Sequence, residues 1–376
     1  MTYLVPLALF VGFVISLVMV ALLVRAGRRA GMLDSSGSEG HHKQLRSIPN
    51  IGGIGIFLGA VVPLGIGLGL LSLSESVWSL LPGSIRPPDD LVAQSLPTWV
   101  AIVAAALVLH VVGLVDDRRP LGAGLKLLVQ AVMAASLVLL FDVRFLHVLD
   151  DFGGIGWSIS VVGTILWILV ITNAINFLDN MDGLAAGVAV VASTIMMIAT
   201  LMNAQWFIAL SLALLIGSLL GFLVFNFPVA RIFMGDGGSL VVGWLLAIAT
   251  VRITFVDTGD PDYALGSAWY GVLMPLVVLA VPLYDFTSVV VIRTLQGRSP
   301  FVGDQQHFSH RLVARGLSST RAVLVIWLVA IVTGVGGIFL GSVAPWIAIL
   351  IGVQTLLLLC MLAVLEHGTR SEGGRG

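Results

Sequence analysis

Charge is scarce in this sequence. Asp, Glu, Lys and Arg make up 10% of 376 residues, against 58% hydrophobic, whereas ordinary globular chains carry about 25% charged residues. A water-soluble domain is thereby excluded. Cysteine is rarer still: the single copy, Cys360, can form no intramolecular disulfide. It falls in the last apolar run and reads as a packing residue. The N-terminus lacks a basic stretch before its first apolar run and a small-residue cleavage site after it, so no cleavable signal peptide is expected. No internal repeat or Pro/Ser-rich linker divides the chain. The net charge of −1 says little about partners, and no nucleic-acid partner is expected.

What the chain has in abundance is apolar runs. Its mean hydropathy is +1.06, and a helix crosses a bilayer in roughly 20 residues. Eleven runs qualify, at about 3–24, 51–73, 97–115, 125–141, 157–175, 183–202, 206–227, 237–251, 268–291, 322–341 and 343–365. The expected fold is therefore all-α and polytopic. A single transmembrane domain fills 1–365, and a disordered tail fills 366–376. The fourth and eighth runs are short and expected to be tilted, buried or partly re-entrant. Pro275 and Pro282 imply a kinked or broken ninth span. Alternate loops from the first onward hold sixteen of the nineteen Lys and Arg residues, and the opposite side holds only Arg86, Arg144 and Arg252. By the positive-inside rule the richer side is cytoplasmic, the N-terminus outside and the C-terminus inside.

That same side collects the polar groups. The third run ends in Asp116-Asp117, and "ITNAINFLDNMDGLAAG" (171–187) packs Asn173, Asn176, Asp179, Asn180 and Asp182 between two spans. "FMGDGGSL" puts Asp236 at a span's start among glycines, and "DQQHFSHRL" holds Asp304, His307, His310 and Arg311. The Asp pair and the last two stretches each have a plain alternative. These are a solvated charge pair balanced by Arg118 and Arg119, a Gly-rich helix cap with Asp236 as the cap residue, and a solvated basic loop. Transition-metal binding by the histidines competes as well, though no cysteine accompanies them. Carboxylates at a helix C-terminus oppose the macrodipole, so a cation should compensate Asp116 and Asp117. Taken together, carboxylates, amides, imidazoles and glycine-rich helix ends on one membrane face suit Mg²⁺ and phosphate groups. Transporters, by contrast, carry functional polar groups near the bilayer midplane.

Four ordered motifs give the sequence a family likeness over about residues 3–365: "VDDRR", "NAINFLDNMDGLA", "FMGDGGS" and "RTLQGRSPFVGDQQHFSH". It resembles the polyprenyl-phosphate N-acetylhexosamine-1-phosphate transferases. The resemblance implies transfer of a sugar-1-phosphate from a UDP-sugar, with UDP-GlcNAc as the default, to undecaprenyl phosphate in the bacterial inner membrane, releasing UMP. It implies Mg²⁺ (with Mn²⁺ as a substitute), Asp236 as metal ligand, and Asn176 as a second ligand or close neighbour. Asp116 and Asp117 match the acidic pair, with Asp116 favoured as base, and Lys126 matches a phosphate-meeting lysine. Phe233, Asp182 and nearby Asn226 match a uracil pocket, and Asp179 falls within the nucleotide region. His307, His310 and Arg311 match a patch on the pyrophosphate, while Lys43 or Arg46 would touch lipid phosphate. Asp285 holds a family position and is expected to be structural, paired with an arginine.

Two residues depart from the family pattern. Ser309 replaces a histidine of H-x-H-H, and Asn180 replaces the first glycine of D-G-x-D-G, where a left-handed turn is expected. The alternatives are the lipid I translocase, a sibling that usually carries a run of three histidines, and a secondary transporter. The oligomeric state stays open, a homodimer included.

Overall fold

The structure is a computed structural model and describes residues 3–30, 48–72, 89–253, 273–299, 306–341 and 343–367. Among these residues the chain is helical throughout, without a strand. The helices are α1 (Leu4–Ala30), α2 (Gly53–Leu71), α3 (Asp89–Arg118), α4 (Ala123–Phe141), α5 (Gly153–Leu178), α6 (Leu184–Met202) and α7 (Trp206–Asn226). They continue with α8 (Asp236–Ile253), α9 (Met274–Val278), α10 (Ala280–Leu295), α11 (Phe308–Ala314), α12 (Ser319–Gly334) and α13 (Pro345–His367). Short 3₁₀ turns cover His147–Phe152 and Val335–Phe339.

Ten helical segments among the described residues are long and apolar enough to cross a membrane. The expected ninth span is present in two pieces, α9 and α10, which part at Leu279 between Pro275 and Pro282. Proline removes a backbone donor and crowds the preceding turn, so an interruption at that place follows. Each short run forms one continuous helix, and only one of the two is buried. α8 is the most enclosed span, while α4 is among the most exposed.

α8 packs against α2, α3, α5, α6 and α7, so it forms the axis of the bundle. α1 crosses α7 closely, with Gly12, Gly217 and Gly221 letting the two backbones touch. The surface is inverted relative to a soluble protein. α13 exposes Trp346, Ile349, Leu356, Leu357 and Val364, a face suited only to lipid. Cys360 lies exposed on that helix, which corrects its expected packing role.

The up-and-down connectivity brings the C-termini of α3, α5 and α7 to the same end as the N-termini of α2, α4, α6 and α8. At the other end, buried Arg144 is held by both oxygens of Asp150 and by Asp142. These two carboxylates raise its already high pKa further. One of the three basic residues on that side is thus already neutralised. α13 also runs on through Glu366, whose side chain is buried. The helix therefore overruns the expected start of the tail, and residues 368–376 lie outside the described residues.

Candidate active site

Asp117 ends α3 and reaches the first turn of α8. Its Oδ1 accepts the Asp236 N–H at 2.9 Å and the Asn50 amide at 3.1 Å, while its Oδ2 accepts the Gly237 N–H at 3.1 Å. A helix N-terminus has free N–H groups and a partial positive charge, so Asp117 caps α8 from a different helix. Here is part of the compensation that a carboxylate at a helix C-terminus requires. Arg118 and Arg119 are exposed.

The rest comes from Lys126 on the first turns of α4. Its ammonium lies 2.7 Å from Asp116 Oδ2 and 2.7 Å from Asp236 Oδ2. Asp116 Oδ1 accepts the Leu121 N–H at 2.7 Å, which fixes the carboxylate at the bend between α3 and α4. Asn176, on the last turn of α5, donates to Asp236 Oδ1 at 2.9 Å and to Ser239 Oγ at 2.8 Å. Asp236 is therefore gripped by α3, α4 and α5 together.

Gly113 makes that convergence feasible, because a Cβ there would lie 2.4 Å from the Asp236 carbonyl oxygen. One turn below, Gln130 accepts from Asn173 at 2.6 Å, adding a second polar tie between α4 and α5. His110 of α3 hydrogen-bonds the Gly237 carbonyl through Nδ1 at 2.7 Å and stacks on Phe57 at 4.3 Å.

The Lys126 ammonium offsets only one of the two carboxylates it touches, and the Asp117 carboxylate lies beside them on the α8 cap. That donor set fits one divalent cation. Asp236 and the Asn176 amide, once turned to present its oxygen, could hold it through oxygen ligands. No cluster of three His, Cys, Asp or Glu residues with metal-site geometry occurs among the described residues. Mg²⁺ requires none, since it is commonly bound by one or two carboxylates plus substrate phosphates.

The residues expected on the nucleotide side gather on two loops. Asp182 accepts the Ala230 N–H at 2.9 Å. Asn226 accepts from Gly183 N at 2.7 Å and donates to the Ile232 carbonyl at 2.8 Å. Each end of the buried Asn226 amide thus holds a backbone group, so Asn226 shapes this loop. Phe233 is half-buried and bridges the first loop through its backbone, to Pro49 and Gly52 at 2.9 Å each. Asp179 forms the C-cap of α5.

The left-handed turn expected at Asn180 is absent: the positive φ of this loop, 76°, belongs to Gly183. The retained glycine takes the strained position. Asn180 instead donates to the Phe177 carbonyl at 2.8 Å.

His307 is buried and lies 2.8 Å through Nδ1 from Asp285, which also accepts the Phe308 N–H at 2.9 Å. Asp285 is fully buried, and it pairs with this histidine where an arginine was expected. His307 meets the Phe177 ring edge-on at 6.0 Å and has His310 at 6.5 Å. His307 thus adjoins the end of α5, with His310 beside it. Arg311 turns elsewhere. Its guanidinium is engaged by Glu366 at 2.8 Å, by Ser288 at 2.9 Å and by the Gln306 carbonyl, so its expected place on a pyrophosphate gives way to an ion pair with α13. Lys43, Arg46 and Asp304 lie outside the described residues.

Sequence reasoning missed Asn50 and the capping role of Asp117, whose partners are far along the chain. It also missed Arg293, buried with its guanidinium 5.5 Å from the Phe177 ring centre.

Ionised side chains at membrane depth are expensive and mark function. A multi-pass bundle that keeps such a cluster at its helix ends is a membrane protein built around a charged site. The family model described as Glycosyl transferase family 4 matches residues 99–254, the stretch carrying Asp116, Asp117, Lys126, Asn176 and Asp236. The chain is 31% identical over 349 residues to the probable undecaprenyl-phosphate N-acetylglucosaminyl 1-phosphate transferase of Bacillus subtilis, covering 91% of this chain and 87% of that protein. It is 33% identical over 298 residues to the decaprenyl-phosphate N-acetylglucosaminephosphotransferase of Mycobacterium tuberculosis, with coverages of 74% and 69%. Against the phospho-N-acetylmuramoyl-pentapeptide-transferase of Levilactobacillus brevis it is 30% identical over 349 residues, with coverages of 89% and 97%. The chain belongs to glycosyl transferase family 4, among the polyprenyl-phosphate N-acetylhexosamine-1-phosphate transferases.

Proposed function

We propose that the protein transfers N-acetylglucosamine-1-phosphate from UDP-N-acetylglucosamine to undecaprenyl phosphate, releasing UMP and forming undecaprenyl-diphosphate-N-acetylglucosamine. The observation that carries this reading is the Lys126 ammonium shared between Asp116 and Asp236. A cation held between two carboxylates suits a point where a lipid phosphate meets a nucleotide diphosphate. The similar protein from Bacillus subtilis, named for this activity and matched over 91% of the chain, supports the choice of donor and lipid.

In the proposed reaction an oxygen of the lipid phosphate attacks the sugar-bearing phosphorus of the donor. The bond between that phosphorus and the bridging oxygen breaks, and UMP departs. Asp116 takes the remaining proton from the lipid phosphate when it arrives as a monoanion. Phosphate monoesters lose that proton near pH 6, so positioning contributes more than proton removal at neutral pH. Lys126 holds the nucleophile's charge beside Asp236, and Asp117 keeps Asp236 in place through the α8 cap. His307 and His310 lie on the pyrophosphate side, with Asp182 and Phe233 toward the base. A divalent cation held by Asp236 and Asn176 would neutralise the diphosphate and stabilise departing UMP. The reactive end of the bundle faces the cytoplasm of a bacterial inner membrane, in keeping with the Lys and Arg distribution.

The test is UMP release by purified protein with undecaprenyl phosphate and Mg²⁺ against a panel of UDP-sugars that includes UDP-N-acetylmuramoyl-pentapeptide. Turnover of UDP-N-acetylglucosamine is expected. Turnover of the muramoyl peptide alone would move the protein to lipid I synthesis, and no UMP from any donor would favour a transporter.

A further inference from the structure

The two departures from the family pattern meet in space. Ser309 is fully buried, and its hydroxyl donates to Asn180 Oδ1 at 2.7 Å across 129 residues of chain. The other end of the same amide donates to the Phe177 carbonyl at 2.8 Å. Asn180 is therefore a strut from the last turn of α5 to the first turn of α11. A glycine at 180 would leave the serine without this partner, so the two changes act as one.

α11 is short, and three ties place it. Asp285 holds its N-terminus through His307 and Phe308. Glu366 holds its far end through Arg311 and Arg315. The Ser309–Asn180 bond joins it directly to the loop that carries Asp179 and Asp182. A ligand touching both the histidines and that loop depends on their spacing. A ligand held at Lys126 and Asp116 does not.

We propose that Asn180 and Ser309 form a positioning pair that sets the histidine helix against the α5–α6 loop and so tunes affinity for the UDP-sugar donor, without contacting it. The inference rests on the transfer reaction proposed above. The pair contributes to binding of the donor and not of the lipid phosphate.

The test is a double-mutant cycle of Asn180→Ala and Ser309→Ala, with KM for UDP-N-acetylglucosamine and for undecaprenyl phosphate measured separately and thermal unfolding in detergent recorded alongside. Each single change is expected to raise the donor KM about fivefold, the effect of one hydrogen bond of about 1 kcal/mol. The double variant should also rise about fivefold rather than the product of the two, because the changes remove the same bond. The lipid KM should stay within twofold, and Asn180→Asp, which keeps an acceptor for Ser309, should lie nearer the wild type than Asn180→Ala. Multiplicative losses, equal changes in both KM values, or a lowered unfolding temperature with an unchanged donor KM would each overturn the pair's role. A wild-type protein that releases no UMP from any donor would overturn the transfer reading, and this inference with it.

Discussion

Replacing Lys126 by glutamine removes the ammonium that Asp116 and Asp236 share. The two carboxylate oxygens are each 2.7 Å from that nitrogen, so they lie no further than about 5.4 Å from one another. Two unit charges at that spacing repel by about 3 kcal/mol at an effective dielectric of 20. Glutamine supplies a hydrogen bond but no charge, so the repulsion stands whenever both groups are ionised. About 3 kcal/mol is roughly two decades in rate, and kcat/KM should therefore fall about 100-fold in the UMP-release assay. Lys126→Arg keeps the charge and should recover only part of the activity, because its longer planar fork shifts the two carboxylates from their contacts with a single nitrogen. The Asp116→Asn/Lys126→Gln double variant should lose less than the product of its parents, since the neutral amide relieves the repulsion. Activity of Lys126→Gln within threefold of the wild type would refute the shared-cation geometry.

Three further outcomes follow from the same contacts. Asp117→Asn turns one acceptor of the α8 cap into a donor facing N–H groups. It should lower stability in detergent by about 1–2 kcal/mol, whereas Asp116→Asn should spare unfolding and cost activity. Arg311→Ala and Glu366→Gln break one buried ion pair and should destabilise alike, by about 3 kcal/mol, with no further loss when combined. A silent Glu366→Gln beside a damaging Arg311→Ala would instead return Arg311 to the pyrophosphate. Gly113→Ala drives a methyl against the Asp236 carbonyl and should cost about 1–3 kcal/mol by overpacking, with activity falling along with the unfolding temperature.

The spans were legible because twenty apolar residues in a row have few other uses, and even the break in the ninth was visible in Pro275 and Pro282. The site was legible as a set of residue types but not as a set of contacts. Asp117 could not be read as a cap, because the helix it caps begins 119 residues later. Arg311 was grouped with its histidine neighbours by spacing. A helix of seven residues still points its sides in several directions, and the partner, Glu366, lay where a loose tail was expected. At Asn180 tolerance of a left-handed backbone was mistaken for a requirement. Gly183 met that requirement three residues on, leaving the Asn180 side chain free to reach Ser309.

Asp236 is where α3, α4 and α5 converge, and its replacement bears most directly on the proposed chemistry. Purified wild type and Asp236→Asn are to be compared for UMP release from UDP-N-acetylglucosamine and undecaprenyl phosphate across a Mg²⁺ titration. The expected result is Mg²⁺-dependent UMP formation, matched mole for mole by the lipid-linked sugar, that falls at least about 1000-fold in Asp236→Asn. Near-normal Mg²⁺-dependent turnover by Asp236→Asn would contradict the assignment.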